Sequence, residues 1–103
     1  MKVFELAEKI KGKIICGSEE KELSGCYIGD LLSLAMSKVQ ENNIWITIQT
    51  NINSVAVASL TEAGCIVICD GFTLDDNALE KAKEEEISVI TSEMSAYEIA
   101  KLI

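Results

Sequence analysis

Arginine and histidine are both absent from the 103 residues of this chain. Without arginine, the chain lacks the bidentate donor that most phosphate and carboxylate sites use. Without histidine, it lacks the commonest general base and the commonest transition-metal ligand, and a Ser-His-acid triad is impossible. We therefore expect no catalysis by this chain alone, no catalytic residue, no metal ion and no other cofactor.

Positive charge and long apolar runs are also scarce. Nine lysines stand against 17 acidic residues, so the net charge is −8 and no basic stripe is available for nucleic acid. No apolar run approaches the roughly 20 residues that cross a bilayer, and acids near Met1 occupy the place of a signal peptide's apolar segment. We expect a single cytoplasmic domain over residues 1–103 that binds neither nucleic acid nor membrane.

Cysteine occurs four times but never as a C-x-x-C pair. Cys65 and Cys69 lie inside an apolar run, where free cysteines pack as small hydrophobes. In a reducing compartment we expect all four thiols to be reduced and structural. Cys16 and Cys26 flank a predicted turn, and they are the pair that we expect to be best placed to face each other.

The chain is organised around the segment Cys-Ile-Val-Ile-Cys-Asp-Gly at residues 65–71. An apolar, β-branched run without polar alternation is typical of a strand covered on both faces, as in a parallel sheet between helices. From residue 44 onward, predicted strands and helices alternate, and right-handed crossovers make such strands parallel. The sequence predicts an α/β fold of three layers, α/β/α, with a mainly parallel central sheet and this strand in its middle.

Periodicity and punctuating residues predict ten elements. Strands are predicted at 13–16, 23–28, 44–48, 65–69 and 87–91, and helices at 3–11, 31–40, 53–63, after residue 73, and from 96 through 103. Asp30, Thr73 and Ser95 are the predicted N-caps, and Ser95 begins a full S-x-x-E capping box. Gly12 and Gly64 are predicted to end the first and third helices.

Polar residues follow three of the predicted parallel strands. The corners at 49–51, 70–73 and 91–93 should meet at the carboxyl edge of the sheet, where α/β proteins bind ligands. One interpretation is a small-ligand pocket, and the alternative is that these residues only cap helices and close turns. The candidate ligand-binding residues are Gln49, Thr50, Asn51, Asn53, Asp70, Gly71, Phe72, Thr73, Ser92 and Glu93.

Acidic residues near the same edge suggest a second interpretation. Asp70, Asp75 and Asp76, with Glu93, supply the oxygen ligands that a hard divalent cation prefers. Acids at helix N-termini more often complement the helix dipole. We therefore expect no metal ion at this edge.

Two aromatic residues are candidates for contacts. Phe72 follows a glycine at the predicted strand end, so we expect it in a pocket or a contact surface. Trp45 begins a strand and is predicted to be a half-buried plug at the bottom of the sheet. An interface anchor is the alternative role for Trp45, because tryptophan is enriched at interfaces.

Several segments carry a resemblance to a known family. They are Gly-Asp-Leu-Leu-Ser at 29–33, Trp-Ile-Thr-Ile-Gln-Thr-Asn at 45–51, Asn-Ser-Val-Ala-Val-Ala at 53–58, the strand end at 66–71, and 87–103 with its Ser-x-x-Glu-Ile-Ala. Over residues 24–103 the chain resembles the DRTGG domain, and it is most similar to small stand-alone members. That domain also occurs in HPr kinase/phosphorylase, in CBS-containing family-II pyrophosphatases and in some phosphotransacetylases. The resemblance implies a three-layer fold like the HPr kinase N-terminal domain, related to the Mur ligase N-terminal domain, and a regulatory role without catalysis.

One segment departs from the family pattern. Where the family usually has Thr-Gly-Gly after the central strand, this chain has Cys69-Asp70-Gly71, so only the second glycine is retained. Asp70 adds a negative charge where an anion would bind. The departure therefore weakens any phosphate site that is built on this turn alone.

Three functional hypotheses remain open at this stage. The leading one is a non-catalytic, ligand-sensing regulatory module that binds either a small ligand, with phosphorylated compounds and nucleotides as candidates, or a protein partner. The second is a pure interaction subunit without a ligand, either a homodimer or a chain that docks onto a larger enzyme. The third is a minimal enzyme acting on a phosphorylated metabolite.

Overall fold

The computed structural model describes all 103 residues and contains five strands and five helices. In chain order the elements are α1 (Val3–Lys9), β1 (Lys13–Cys16), β2 (Cys26–Ile28), α2 (Leu32–Lys38), β3 (Ile44–Thr47), α3 (Ile52–Thr61), β4 (Cys65–Ile68), α4 (Asp76–Glu84), β5 (Ser88–Thr91) and α5 (Ala96–Ala100). Every predicted element is present, and none of the helices is long and apolar enough to cross a membrane.

The five strands form one sheet in the order β1-β5-β4-β3-β2. Strands β2 to β5 pair in parallel, and β1 pairs antiparallel with β5. The predicted central position of β4 is confirmed: all four of its residues are buried, with parallel neighbours on both sides. The predicted mainly parallel α/β fold is therefore confirmed.

Two apolar layers enclose the sheet because successive side chains of a strand point to opposite faces. Trp45, Ile66 and Val89 pack into the core beneath α2, α3 and α4. Ile46, Val67 and Ile90 pack into the second core, beneath α1 and α5. The helices therefore lie on both faces of the sheet, as the strand–helix alternation predicted.

Two predicted N-caps are wrong. Helix α2 begins after Leu31, and Asp30 instead uses one carboxylate oxygen to accept hydrogen bonds from the Thr47 hydroxyl (2.8 Å) and the Ile48 amide (2.9 Å). Helix α4 begins after Asp75 rather than after Thr73, because the chain first stays extended to bury Leu74 in the core. The predicted Ser95 capping box is confirmed.

Several predicted boundaries are too long. Helix α2 ends at Lys38 because Val39 is extended and buried, and α5 ends at Ala100, with a tighter turn to the last residue. Strand β2 comprises only residues 26–28, since Gly25 has a φ of 78° and ends the pairing on its amino side.

The left-handed residues at two helix ends are not the predicted glycines. Lys11 (φ 52°) ends α1 and Glu62 (φ 58°) ends α3, one or two positions before Gly12 and Gly64. Gly12 is needed for a different reason. A Cβ atom there would lie 2.6 Å from the Cγ2 atom of Ile90. Its absence lets the turn between α1 and β1 rest directly on β5.

Two further predictions are wrong, one for Trp45 and one for the pair Cys16 and Cys26. Trp45 is fully buried, not half-buried, and its indole N–H donates to the Gly29 carbonyl (3.0 Å), so it is not an interface anchor. Cys16 and Cys26 lie on β1 and β2, the two opposite edges of the sheet, so they do not face each other. All four cysteines are free, and burial raises the pKa of the Cys65 thiol to about 12.

Candidate functional site

The strand register brings the ends of several strands to one edge of the sheet. Thr47, Ile68 and Thr91 are aligned across β3, β4 and β5. Because β1 runs in the opposite direction, its first residue, Lys13, pairs with Thr91 at the same edge. The turn that precedes β1 therefore joins the loops that follow the parallel strands.

A cleft of about 300 Å³ lies at this edge, and we call it the carboxyl-edge cleft. It is formed by the turn between α1 and β1, the loop between β4 and α4, and the loop between β5 and α5. Its lining residues are Lys11, Gly12, Lys13, Gly71, Phe72, Thr73, Thr91, Ser92 and Glu93. Five predicted candidates, Gly71, Phe72, Thr73, Ser92 and Glu93, are thus brought together in one place.

A tight turn forms the wall of the cleft that belongs to β4. Asp70 and Gly71 both have positive φ values, 59° and 78°, and the Phe72 amide bonds back to the Cys69 carbonyl at 3.4 Å. The Gly71 amide also donates to the Ser92 carbonyl (3.0 Å), which joins this turn to the loop after β5. Aspartate and glycine are residue types that tolerate this left-handed geometry, and the Asp-Gly pair was the sequence signal for it.

Ser92 holds the other walls together. Its buried hydroxyl donates to the Ile10 carbonyl (2.8 Å) and accepts from the Met94 amide (3.2 Å). The first bond ties the end of α1, and with it the Lys11 turn, to the end of β5. Ser92 therefore shapes the cleft and has its hydroxyl committed to the protein.

The cleft is a positive site on a negative protein. Lys11 and Lys13 form no ion pair, and the only carboxylate in the lining is that of Glu93. The backbone amides of Thr73 and Glu93 donate no hydrogen bond within the chain, and the Thr73 hydroxyl has no partner either. The residues that line the cleft therefore include two lysines without ion pairs and three donors without partners, in a chain of net charge −8.

The corner after β3 lies outside the cleft. The Asn51 side chain caps α3 by accepting from the Asn53 and Ser54 amides, and its Nδ2 atom donates to Gln49 Oε1 (2.9 Å). Gln49 in turn donates to the Asp30 carbonyl (2.7 Å). These side chains satisfy one another, so the predicted meeting of three corners is reduced to two corners around the cleft.

Two other predicted contributors also lie outside the lining. The Thr50 carbonyl accepts from the Asp75 amide (3.0 Å), which links the third corner to the start of α4. Asp70 does not line the cleft, and one of its carboxylate oxygens lies 3.6 Å from the Cys69 thiol. Burial, together with that carboxylate, raises the pKa of Cys69 to about 11.

The acidic residues do not form a metal site. No group of three or more histidine, cysteine, aspartate or glutamate side chains in the structure is arranged to hold a metal ion. Asp75 is the N-cap residue of α4 and Asp76 lies in its first turn, where negative charge complements the helix dipole.

Sequence reasoning missed Lys11, Gly12 and Lys13. Lys11 and Gly12 precede β1 and Lys13 is its first residue, and no sequence pattern indicated that β1 would run antiparallel beside β5. The one available signal was the pair of lysines that flank Gly12 in a chain with only nine basic residues.

The fold is similar to that of a solved regulatory region. The structure of the CBS and DRTGG domains of the regulatory region of Clostridium perfringens pyrophosphatase, complexed with the activator diadenosine tetraphosphate, superposes with a TM-score of 0.80 at 13% identity. The match covers 98% of this chain and 45% of that chain, so this chain spans less than half of the pyrophosphatase region. At this identity the likeness establishes the fold alone.

The sequence comparisons define the family. No curated protein matches this chain. The profile of the DRTGG domain matches residues 5–103, which confirms the resemblance noted over residues 24–103 and extends it through α1 and β1. The chain belongs to the DRTGG domain family.

Proposed function

We propose that this chain is a non-catalytic regulatory module that binds a small phosphorylated or nucleotide effector in the carboxyl-edge cleft. The observation that carries the proposal is the pair of unpaired lysines, Lys11 and Lys13, beside the free amides of Thr73 and Glu93. At a phosphate site without arginine, lysine ammonium groups and backbone amides donate the hydrogen bonds that the phosphate oxygens accept.

The size and lining of the cleft support a ligand of nucleotide scale. Its volume of about 300 Å³ lies at the lower end of the range of small-molecule sites. Phe72 is 51% exposed at the rim, and an exposed aromatic ring is a surface on which a base can stack. A phosphate between the lysines and a base on Phe72 would use both features.

The orientation of Asp70 removes one objection to an anionic ligand. The carboxylate that replaces the first glycine of the family turn lies against the Cys69 thiol and is not part of the cleft lining. Glu93 is then the single acidic residue of the lining, which also contains two lysines. The balance of charge in the cleft still favours an anion.

The family relationship supports the regulatory part of the proposal. The similar pyrophosphatase region is a regulatory one and was solved with a dinucleotide activator bound. A regulatory effector acts through different affinities for two states, and it requires no catalytic group. The cleft is consistent with that, because the hydroxyl of Ser92 is already donated to a backbone carbonyl.

The test is a thermal-shift and calorimetric comparison with ATP, AMP and acetyl phosphate. A ligand at 100 times its Kd stabilises the folded state by about 2.7 kcal/mol, which raises the Tm of a domain of this size by several degrees. We expect the double variant Lys11→Ala/Lys13→Ala to weaken binding by about tenfold or more, since each lost charged hydrogen bond is worth about 1.5 kcal/mol or more. The control is Lys9→Ala/Lys38→Ala, which makes the same change in net charge at exposed lysines outside the cleft.

The variant Phe72→Ala distinguishes the contribution of the base to binding from that of the phosphate. We expect it to weaken the binding of ATP and AMP but to leave acetyl phosphate unchanged, because only the nucleotides have a base to stack. If no ligand shifts the Tm, or if both lysine double variants have equal effects, the cleft is not the binding site. Turnover of acetyl phosphate by the same samples would contradict a non-catalytic role.

A further inference from the structure

The carboxylate of Glu93 has no partner within the chain. It lines the same cleft as Lys11 and Lys13, yet it forms no ion pair with either lysine and accepts no hydrogen bond. A carboxylate is an acceptor only, so a ligand must bring hydrogen-bond donors to use it. Phosphate oxygens are themselves acceptors. A ligand that uses every polar group of the cleft therefore carries donors in addition to its phosphate.

Gly71 provides the space in which this carboxylate lies. A Cβ atom at Gly71 would be 2.6 Å from the Oε2 atom of Glu93, so a side chain there would displace the carboxylate. The Gly71 amide donates to the Ser92 carbonyl (3.0 Å), which keeps the loop after β4 beside the loop after β5. The carboxylate therefore lies against the residue that directly precedes Phe72.

The order of the strands fixes the order of these groups along the edge of the sheet. Strands β1, β5 and β4 are adjacent in that order. The two lysines belong to the turn that leads into β1, Glu93 to the loop after β5, and Phe72 to the loop after β4. The loop of Glu93 therefore comes between the lysines and the aromatic ring. Neighbouring strands lie about 4.8 Å apart, so β1 and β4 are separated by about 10 Å, a distance that an extended nucleoside phosphate spans.

We infer that Glu93 binds the ribose hydroxyls of the effector, so that the cleft prefers ribonucleotides to nucleotides that lack these hydroxyls. The inference rests on the proposed function and names the ligand class of the same cleft. A nucleotide carries its ribose between phosphate and base, and the lysines, Glu93 and Phe72 follow one another in the matching order. The 2′- and 3′-hydroxyls are the missing donors, and an acidic side chain binds a ribose hydroxyl in the dinucleotide sites of other α/β folds.

The experiment measures by calorimetry the Kd of ATP and the Kd of 2′,3′-dideoxy-ATP. EDTA is present, so that no metal ion bridges a phosphate to Glu93. We expect the unmodified chain to bind ATP about tenfold more tightly, because the analogue leaves a charged acceptor without its donors. The expected ratio is far below the roughly 10⁴-fold of a buried polar site, since Glu93 is exposed and water replaces the missing hydroxyls.

The variant Glu93→Ala distinguishes ribose binding from simple repulsion of the phosphates. Both nucleotides carry the same phosphates, so the loss of a repelling charge strengthens both alike and leaves the ratio of their Kd values unchanged. We expect the ratio to fall from about ten to about one in Glu93→Ala. The control is Glu80→Ala, which removes the same charge at an exposed residue of α4 outside the cleft and should keep the ratio near ten.

Three results would overturn the inference, and they differ in what they leave standing. Equal Kd values in the unmodified chain exclude the ribose contact but leave the phosphate site intact. A ratio that stays near ten in Glu93→Ala assigns the ribose contact to another group. If neither nucleotide binds, the proposed function fails together with this inference. Circular dichroism checks that both variants remain folded.

Discussion

Substitution of Asp30 tests which hydrogen bonds hold the ends of β2 and β3 together. Its carboxylate accepts hydrogen bonds from the Thr47 hydroxyl (2.8 Å) and the Ile48 amide (2.9 Å), and so it joins the chain after β2 to the end of β3. Asp30→Ala removes both bonds. Thr47 is 1% exposed, so its hydroxyl would lose its acceptor where water has little access.

The expected loss of stability follows from the difference in solvent exposure between the Thr47 hydroxyl and the Ile48 amide. A buried donor left unpaired costs about 1–3 kcal/mol, whereas an exposed amide recovers most of its bond from water. We therefore expect Asp30→Ala to destabilise the fold by about 2 kcal/mol, and Asp30→Asn, which keeps an oxygen acceptor, by about 1 kcal/mol. For a domain of this length, about 2 kcal/mol corresponds to a decrease in Tm of about 8–16 °C.

Asp30→Ser distinguishes this role from helix capping. Serine is among the best N-cap residues, so it would restore stability if Asp30 capped α2. Its side chain is too short to reach Thr47 and Ile48, so we expect it to behave like alanine. Urea unfolding of the three variants measures the difference. Full stability of Asp30→Ser, with loss only in the alanine variant, would refute the assignment.

Two further predictions concern glycine positions and pH. Gly17→Ala should cost more than about 3 kcal/mol, because its Cβ would lie 2.3 Å from the Ser88 Cα atom, whereas Gly71→Ala, which meets only the movable Glu93 carboxylate, should cost about 1 kcal/mol. Urea midpoints compare the two, and equal losses would contradict the distinction. Burial raises the pKa of Cys65 from 9.0 to about 12, so the folded state keeps this proton longer than the unfolded state. Stability due to this thiol should therefore be level below pH 9 and fall by up to about 1.4 kcal/mol per pH unit between 9 and 12. The fall should be shallower in Cys65→Ala, and an identical slope in both proteins would contradict the shift.

All ten elements were predicted, and the features with the strongest local signals were predicted most accurately. The apolar run of β4 required cover on both faces, and that requirement alone placed it in the middle of a parallel sheet. The Ser95 capping box fixed the start of α5 because both of its bonds are local. Asp30 and Thr73 are equally good cap residues, yet neither caps a helix. Long-range donors at Thr47 decided the role of Asp30, and burial of Leu74 moved the start of α4.

The corners after β4 and β5 were predictable as neighbours because parallel strands of similar length end at the same edge. The separation of the β3 corner was not predictable, since the short Gln49 and Asn51 side chains are as suited to capping a helix as to binding a ligand. In the structure their side chains hydrogen-bond to one another and to the Asp30 carbonyl. A polar corner offers free donors to a ligand only where those donors have no partner in the chain, and the residue types do not reveal this.

The positive side of the cleft was hidden from sequence reasoning for a different physical reason. Strand β1 is separated from its partner β5 by most of the chain, so no turn or crossover of fixed length defines their relative direction. A parallel β1 would place Lys13 at the opposite edge of the sheet, far from Thr91. The antiparallel pairing is selected by tertiary contacts: Ile10 and Ile14 pack with Ile90 in the same apolar layer, and the Ser92 hydroxyl then holds the Ile10 carbonyl. The direction of this one strand therefore decides whether Lys13 lies at the same edge of the sheet as Glu93.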